Sequence, residues 1–178
     1  MNERWNLDPI YKGFDDPAFH ADMQELKGLV EKIAAFAENL PAAEPLAGLT
    51  EGVALEERFS VLVSKLAGFA SLRQAADTRD SEAGSKMGQV MQLYSGVAAP
   101  FAAFKDWAAK LPNLMELVKN DENLKDYTFM FENMADSARY LLPGVGEAVM
   151  AKMSLSGGDA WSEMQLYLTS TVPVTYRG

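Results

Sequence analysis

His20 is the only imidazole in a chain of 178 residues, and no cysteine accompanies it. A zinc helix of the H-E-x-x-H type needs two histidines one turn apart, and a Ser-His-Asp triad needs a histidine against a serine. A di-iron bundle needs Glu-x-x-His twice. His20 sits among Phe19, Ala21 and Asp22 without a second member for any of these sets, so it reads as an ordinary half-exposed helix residue. Two carboxylate pairs stand out, Glu56-Glu57 and Asp15-Asp16. Adjacent positions on a helix point apart, so surface or capping roles fit them better than acid–base work. Gly144-Val145-Gly146 and Gly157-Gly158 are the glycine-rich spots. The second precedes a helix start, where backbone N–H groups attract anions, but neither a Walker lysine nor the full dinucleotide spacing is present. A tight turn is the better reading. The ten methionines fall at core spacings and fill volume. This reading assigns no catalytic, cofactor-binding or metal-binding residue and no cofactor to the chain.

The elements that would carry any site are helices. Phe19, Met23, Leu26, Val30, Ile33 and Ala37 recur in steps of four and three, after an Asp16-Pro17 start and before a stop at Pro41. Asp22, Glu25 and Lys32 fall off that stripe and read as solvated. Pro41 to Gly48 reads as a connector, with Thr50 capping the next helix. From Leu55 to Leu111 the spacing predicts two long central helices. One carries Leu55, Phe59, Leu62, Leu66 and Phe69, the other Val90, Leu93, Val97, Phe101, Phe104 and Ala108. The polar joint Asp77 to Ser81, with Asp80 or Ser81 as cap, sets them antiparallel. Met87, Met91, Tyr94 and Ala98 add a second apolar face to the latter helix, predicting burial on two sides. Pro100 predicts a kink near Gly96–Pro100 rather than two separate helices. A short helix from Asn113, a longer one from Leu124 to Leu142, a brief one from Val145 to Leu155 and a last one holding Trp161, Met164, Tyr167 and Leu168 follow. Residues 169–178 then turn β-branched, a strand-like tail with no partner strand. The expected fold is all-α: one domain over residues 1–178, an antiparallel bundle of about six helices, with 169–178 as an orphan strand segment.

Composition narrows the function classes. A net charge of −9 and a sequence pI near 4.6 argue against binding phosphate backbones, so no nucleic-acid partner is expected. No apolar run approaches the ~20 residues that span a bilayer, so no membrane partner is expected. Met1 to Asn6 lacks the apolar centre of a signal peptide. With no cysteine to oxidise, a cytoplasmic location is the expectation.

Several segments, in order, carry a resemblance. Trp5-Asn6-Leu7-Asp8-Pro9-Ile10-Tyr11, followed by Phe14-Asp15-Asp16-Pro17-Ala18-Phe19, is similar to the opening of oligoendopeptidase F, a zinc metallopeptidase family related to thimet oligopeptidase. Leu155-Ser156-Gly157-Gly158-Asp159-Ala160-Trp161-Ser162 resembles that family's turn before its last N-terminal helix. Leu166-Tyr167-Leu168-Thr169-Ser170-Thr171 resembles the segment that closes it, with Tyr127 and Ala138-Arg139-Tyr140-Leu141-Leu142 in plausible order between. The resemblance implies the N-terminal lobe of a longer zinc metalloendopeptidase, a helical wall of an enclosed channel that admits short peptides. It implies a catalytic part of the same polypeptide as partner, carrying H-E-x-x-H and the zinc. It also makes the tail the first strand of a hairpin, and leaves an apolar face open to self-association when the lobe stands alone. No zinc ligand or glutamate base of the family falls on a residue of this chain. The alternative is a free-standing helical interaction module without enzymatic activity; a small-ligand bundle lined by methionine and aromatic residues ranks below both.

Overall fold

The computed structural model describes residues 6–77, 79–138, 140, 149, 153, 157, 158 and 160–173. Helices α1 (Pro17–Asn39), α2 (Pro45–Ala76), α3 (Ser81–Gly96), α4 (Ala98–Ala109), α5 (Leu114–Asn120), α6 (Thr128–Ala138) and α7 (Ala160–Ser170) follow in order. Single 3-10 turns occupy Leu40–Ala42 and Lys125–Tyr127. The fold is all-α, and no strand occurs among the described residues. The chain forms two compact units, Met1–Ala135 and Asp136–Gly178.

Acid-proline pairs start the first two helices. The Asp16 carboxylate accepts from the Ala18 N–H at 2.9 Å, with Pro17 pre-shaped for the first turn. Glu44 accepts from the N–H groups of Leu46 and Ala47 ahead of Pro45. The cap of the second helix therefore lies six residues before the expected one, Thr50. Thr50 lies inside α2 and donates its hydroxyl to the Leu46 carbonyl at 2.9 Å. At the joint, the Asp80 carboxylate accepts from the Ala83 N–H at 2.9 Å and caps α3 as expected. It also pairs with the Arg73 guanidinium at 3.1 Å, fastening the end of α2 to the start of α3. α2 runs antiparallel to its neighbours. Phe69 meets Phe19 and Arg58 meets Glu25 across α1, while Phe59 meets Tyr94 and Phe101 across α3 and α4.

The second long helix is divided. The interruption lies where proline predicts it, but it splits the element at Val97 rather than only bending it. Pro100 has no N–H for the Gly96 carbonyl. The Val97 N–H bonds the Tyr94 carbonyl at 3.3 Å, one residue short of the α-helical partner. Val97 keeps φ −99° and ψ −2°, so the chain passes through without leaving right-handed backbone. The expected second buried face also fails: Met91 and Tyr94 are 41% and 55% exposed. The central element is α2, buried at intervals from Gly48 to Ala70 and packed on both α1 and α3.

The core of the first unit has two parts. Phe19, Leu26, Ile33, Leu62, Leu66 and Phe69 belong to one, and Tyr11 and Phe14 close it with edge-to-face contacts. Leu7 and Ile10 pack on it, as their apolar character predicts; Trp5 lies outside the described residues. The other gathers Leu49, Val53, Phe104, Val118, Leu124 and Phe131. Two glycines one turn apart let α2 approach α4. A Cβ on Gly52 would lie 2.3 Å from the Phe104 ring, and one on Gly48 2.6 Å from the Trp107 ring. Asp22 is not simply solvated, because it accepts from the Tyr11 hydroxyl at 2.5 Å and from the Lys65 ammonium at 2.7 Å.

In the second unit Val149 and Met153 are helical, and the expected brief helix around them otherwise lies outside the described residues. Gly157 and Gly158 form a π-type turn, with α7 beginning at Ala160. Thr169 and Ser170 complete α7 instead of opening an extended tail; Val174 to Gly178 lie outside the described residues. Gly144, Val145 and Gly146 do as well. Among the described residues, no helix is long and apolar enough to cross a membrane.

Candidate functional site

His20, Asp15 and Asp16, singled out for chemistry in the sequence, do not form a site. His20 is exposed and meets only the Phe19 ring edge among the contacts of its own ring. Asp15 is exposed and Asp16 is used in capping, where the Lys12 and Ala18 N–H groups hold its carboxyl below the usual range. Among the described residues no group of three or more histidine, cysteine, aspartate or glutamate side chains could hold a metal ion. The donors among the described residues therefore do not fit a zinc site.

Glu56 and Glu57, although adjacent in sequence, both border one hollow on the surface of the first unit. α2 buries Phe59, Leu62 and Leu66 on one side. Its opposite side carries Glu57, Ser60, Val61 and Ser64, one turn apart in pairs. Two hollows flank this side. One, of about 430 Å³, is lined by Glu56, Phe59, Ser60, Tyr94, Phe101 and Lys105. The other, of about 310 Å³, is lined by Glu56, Glu57, Ser60, Val61, Tyr127 and Met130. Glu56 and Ser60 belong to both, so the hollows form one groove with a shared ridge.

The break at Val97 builds the first hollow. Tyr94 lies in the last turn of α3 and Phe101 in the first turn of α4, and both rings rest on Phe59, at centroid distances of 6.1 and 5.8 Å. Phe59 is itself buried and forms an aromatic floor. The polar edge is unevenly satisfied. Lys105 approaches Glu56 Oε1 at 3.4 Å, whereas Glu56 Oε2 is buried without a hydrogen-bond partner. In the second hollow the Tyr127 hydroxyl donates to Glu57 Oε1. That bond pushes the Tyr127 hydroxyl above its ordinary pKa and pins the 3-10 turn ahead of α6 to α2. Val61, 56% exposed, supplies an apolar wall in water.

The helix stripes alone point elsewhere. Phe101 and Tyr94 look like core residues when the second long helix is read as continuous. Lys105 carries no signal of its own, and Tyr127 enters the sequence reading through the family resemblance. The cue in α2 is that the exposed Ser60, Val61 and Ser64 form an uncharged interval between Glu57-Arg58 and Lys65.

The comparisons with known proteins agree with the sequence resemblance. Residues 111–172 match the family model described as Oligopeptidase F. Over 177 residues the chain is 23% identical to an oligoendopeptidase F homolog of Mycoplasma pneumoniae (strain ATCC 29342 / M129 / Subtype 1). That alignment covers 98% of this chain and 28% of the relative, so the chain spans little more than a quarter of the curated relative it matches. No solved structure matches the chain. The matched segment contains Tyr127, the Leu155–Ser162 pattern and the Leu166–Thr171 pattern, and the longer alignment takes in the aromatic opening as well. The resemblance to the N-terminal region of oligoendopeptidase F stands on both.

Proposed function

We propose that this chain is the non-catalytic N-terminal lobe of a cytoplasmic zinc metalloendopeptidase similar to oligoendopeptidase F, and that its helices wall the channel through which short peptides reach the metal. The observation that carries the reading is the pairing of coverage: nearly all of this chain aligns, over little more than a quarter of the relative. The chemistry then belongs to the remainder of the polypeptide, which is the lobe's principal partner. The geometry supports a wall in particular. An aromatic-floored groove with carboxylate edges, set on rigid helices, can hold an extended chain without performing a reaction on it. Enclosure by such helices would admit unstructured peptides and exclude folded proteins.

A second reading, a free-standing helical interaction module, draws on the exposed Trp161, Met164 and Leu168 of α7, which recur at helical spacing. The two readings separate at the gene. The lobe reading expects the reading frame to continue past Gly178 into an H-E-x-x-H segment; a stop codon there would favour the module.

A further inference from the structure

The groove on α2 is edged by unequal charges, and what is inferred from them rests on the peptide-wall reading above. Two carboxylates, Glu56 and Glu57, edge it against a single ammonium, Lys105. Among the described residues, Lys105 serves one oxygen of Glu56 and leaves the other buried without a donor, while Glu57 receives a neutral hydroxyl. A carboxylate oxygen withdrawn from water with no donor favours any occupant that brings a positive N–H group within reach of the side chain once it turns. Glu56 lies on the ridge shared by both hollows, so that turn presents it to either one. The walls supply the complementary half. Tyr94 and Phe101 over Phe59, and Val61 with Met130 beyond the ridge, offer apolar surface to an uncharged side chain. An extended peptide projects side chains i and i+2 to the same face, ~7 Å apart, which suits two adjoining hollows.

We propose that this groove binds an extended peptide segment that carries a lysine or arginine two residues from an aromatic or large aliphatic side chain. The cation is held at Glu56 and Glu57, and the apolar side chain rests against Tyr94 and Phe101. Lys105 acts as the internal competitor that the peptide's cation displaces from Glu56.

The test titrates the 178-residue chain, at low ionic strength, with two capped pentapeptides, Ala-Phe-Ala-Arg-Ala and Ala-Phe-Ala-Glu-Ala, following amide chemical shifts. The arginine peptide is expected to bind about fivefold tighter or better, with shifts centred on Phe59, Tyr94 and Tyr127. The E56Q/E57Q double variant should level the two peptides, and K105M should widen the difference; the opposite signs separate charge recognition from loss of fold. Equal affinities for the two peptides, a preference that survives E56Q/E57Q, or a preference that shrinks in K105M would each overturn the proposal. Equal binding at the groove would remove the cation preference and leave the peptide wall standing. Binding of neither peptide would remove the groove as a peptide site. The lobe reading itself is decided by the frame beyond Gly178, independently of both.

Discussion

Glycine and phenylalanine set the tightest constraint in the first unit at Gly52, where α2 comes against the fully buried Phe104 ring. A methyl group there has no room, and overpacking a filled core typically costs ~1–3 kcal/mol. Gly52→Ala should therefore lower stability by about that amount in chemical denaturation. Gly88 is the control. It lies mid-helix in α3, exposed, with open space around its Cα. Gly88→Ala should stabilise by ~0.5–1 kcal/mol, because alanine loses less backbone entropy in a helix. Similar values for the two would mean that α2 and α4 do not meet as described. Phe104→Ala, in the same contact, should cost about 3–5 kcal/mol. The burial of such residues is legible in sequence, since Phe104 and Leu66 fall on regular stripes. What stripes do not reveal is which neighbour approaches closely enough to require glycine.

At the scale of the element, capping residues locate some helix starts and miss others, since Thr50, the expected cap of the second helix, lies inside it. Asp16-Pro17 and Asp80 are found where the sequence places them. Glu44-Pro45 has the same logic as Asp16-Pro17, but the preceding Pro41-Ala42-Ala43 disguises it as loop, and the first turns of α2 go unread. The division at Val97 shows the converse limit. Proline locates the weak point, but whether the ladder bends or parts depends on packing, here of Val97 into the core beside Phe59. Asp80 lets two contributions be separated. Asp80→Asn keeps a cap acceptor and loses the ion pair to Arg73, whereas Asp80→Ala loses both. The melting temperature should fall in the order wild type, Asp80→Asn, Asp80→Ala; equal melting points for all three would remove Asp80 as the fastener of the joint.

Across the molecule, the carboxylates used in the fold give stability a direction in pH. Backbone N–H groups hold Asp16 low, the Ala83 N–H and then Arg73 hold Asp80 low, and Arg58 holds Glu25 low. For Asp22 burial is the largest influence and pushes upward, but Lys65 and the Tyr11 hydroxyl together outweigh it. A carboxylate held low contributes stability that is complete above its unfolded pKa and is lost as pH falls through the lower folded one. Tyr11, raised first by burial and then by Asp22, and Tyr127, raised by Glu57, act in the opposite sense. Their share is complete below the ordinary tyrosine value and is lost above it. Thermal stability should accordingly be flat from about pH 5 to pH 9, and fall below about pH 4 and above about pH 10. A continuous decline from pH 7 to pH 5 would contradict these assignments.

The all-α class and the antiparallel pairing of the long helices are readable from periodicity, since each follows from local spacing and a short polar joint. The groove is not, because it arises where α2, the parted α3 and α4, and the turn before α6 meet, and no single stretch encodes that meeting. On the proposed function, this chain shapes a path for peptides and contributes none of the reacting groups. The most direct measurement is hydrolysis of a quenched fluorescent peptide by the purified 178-residue chain in zinc-replete buffer. No cleavage above the buffer rate is expected. Cleavage abolished by replacing a residue within the chain would contradict the proposed function.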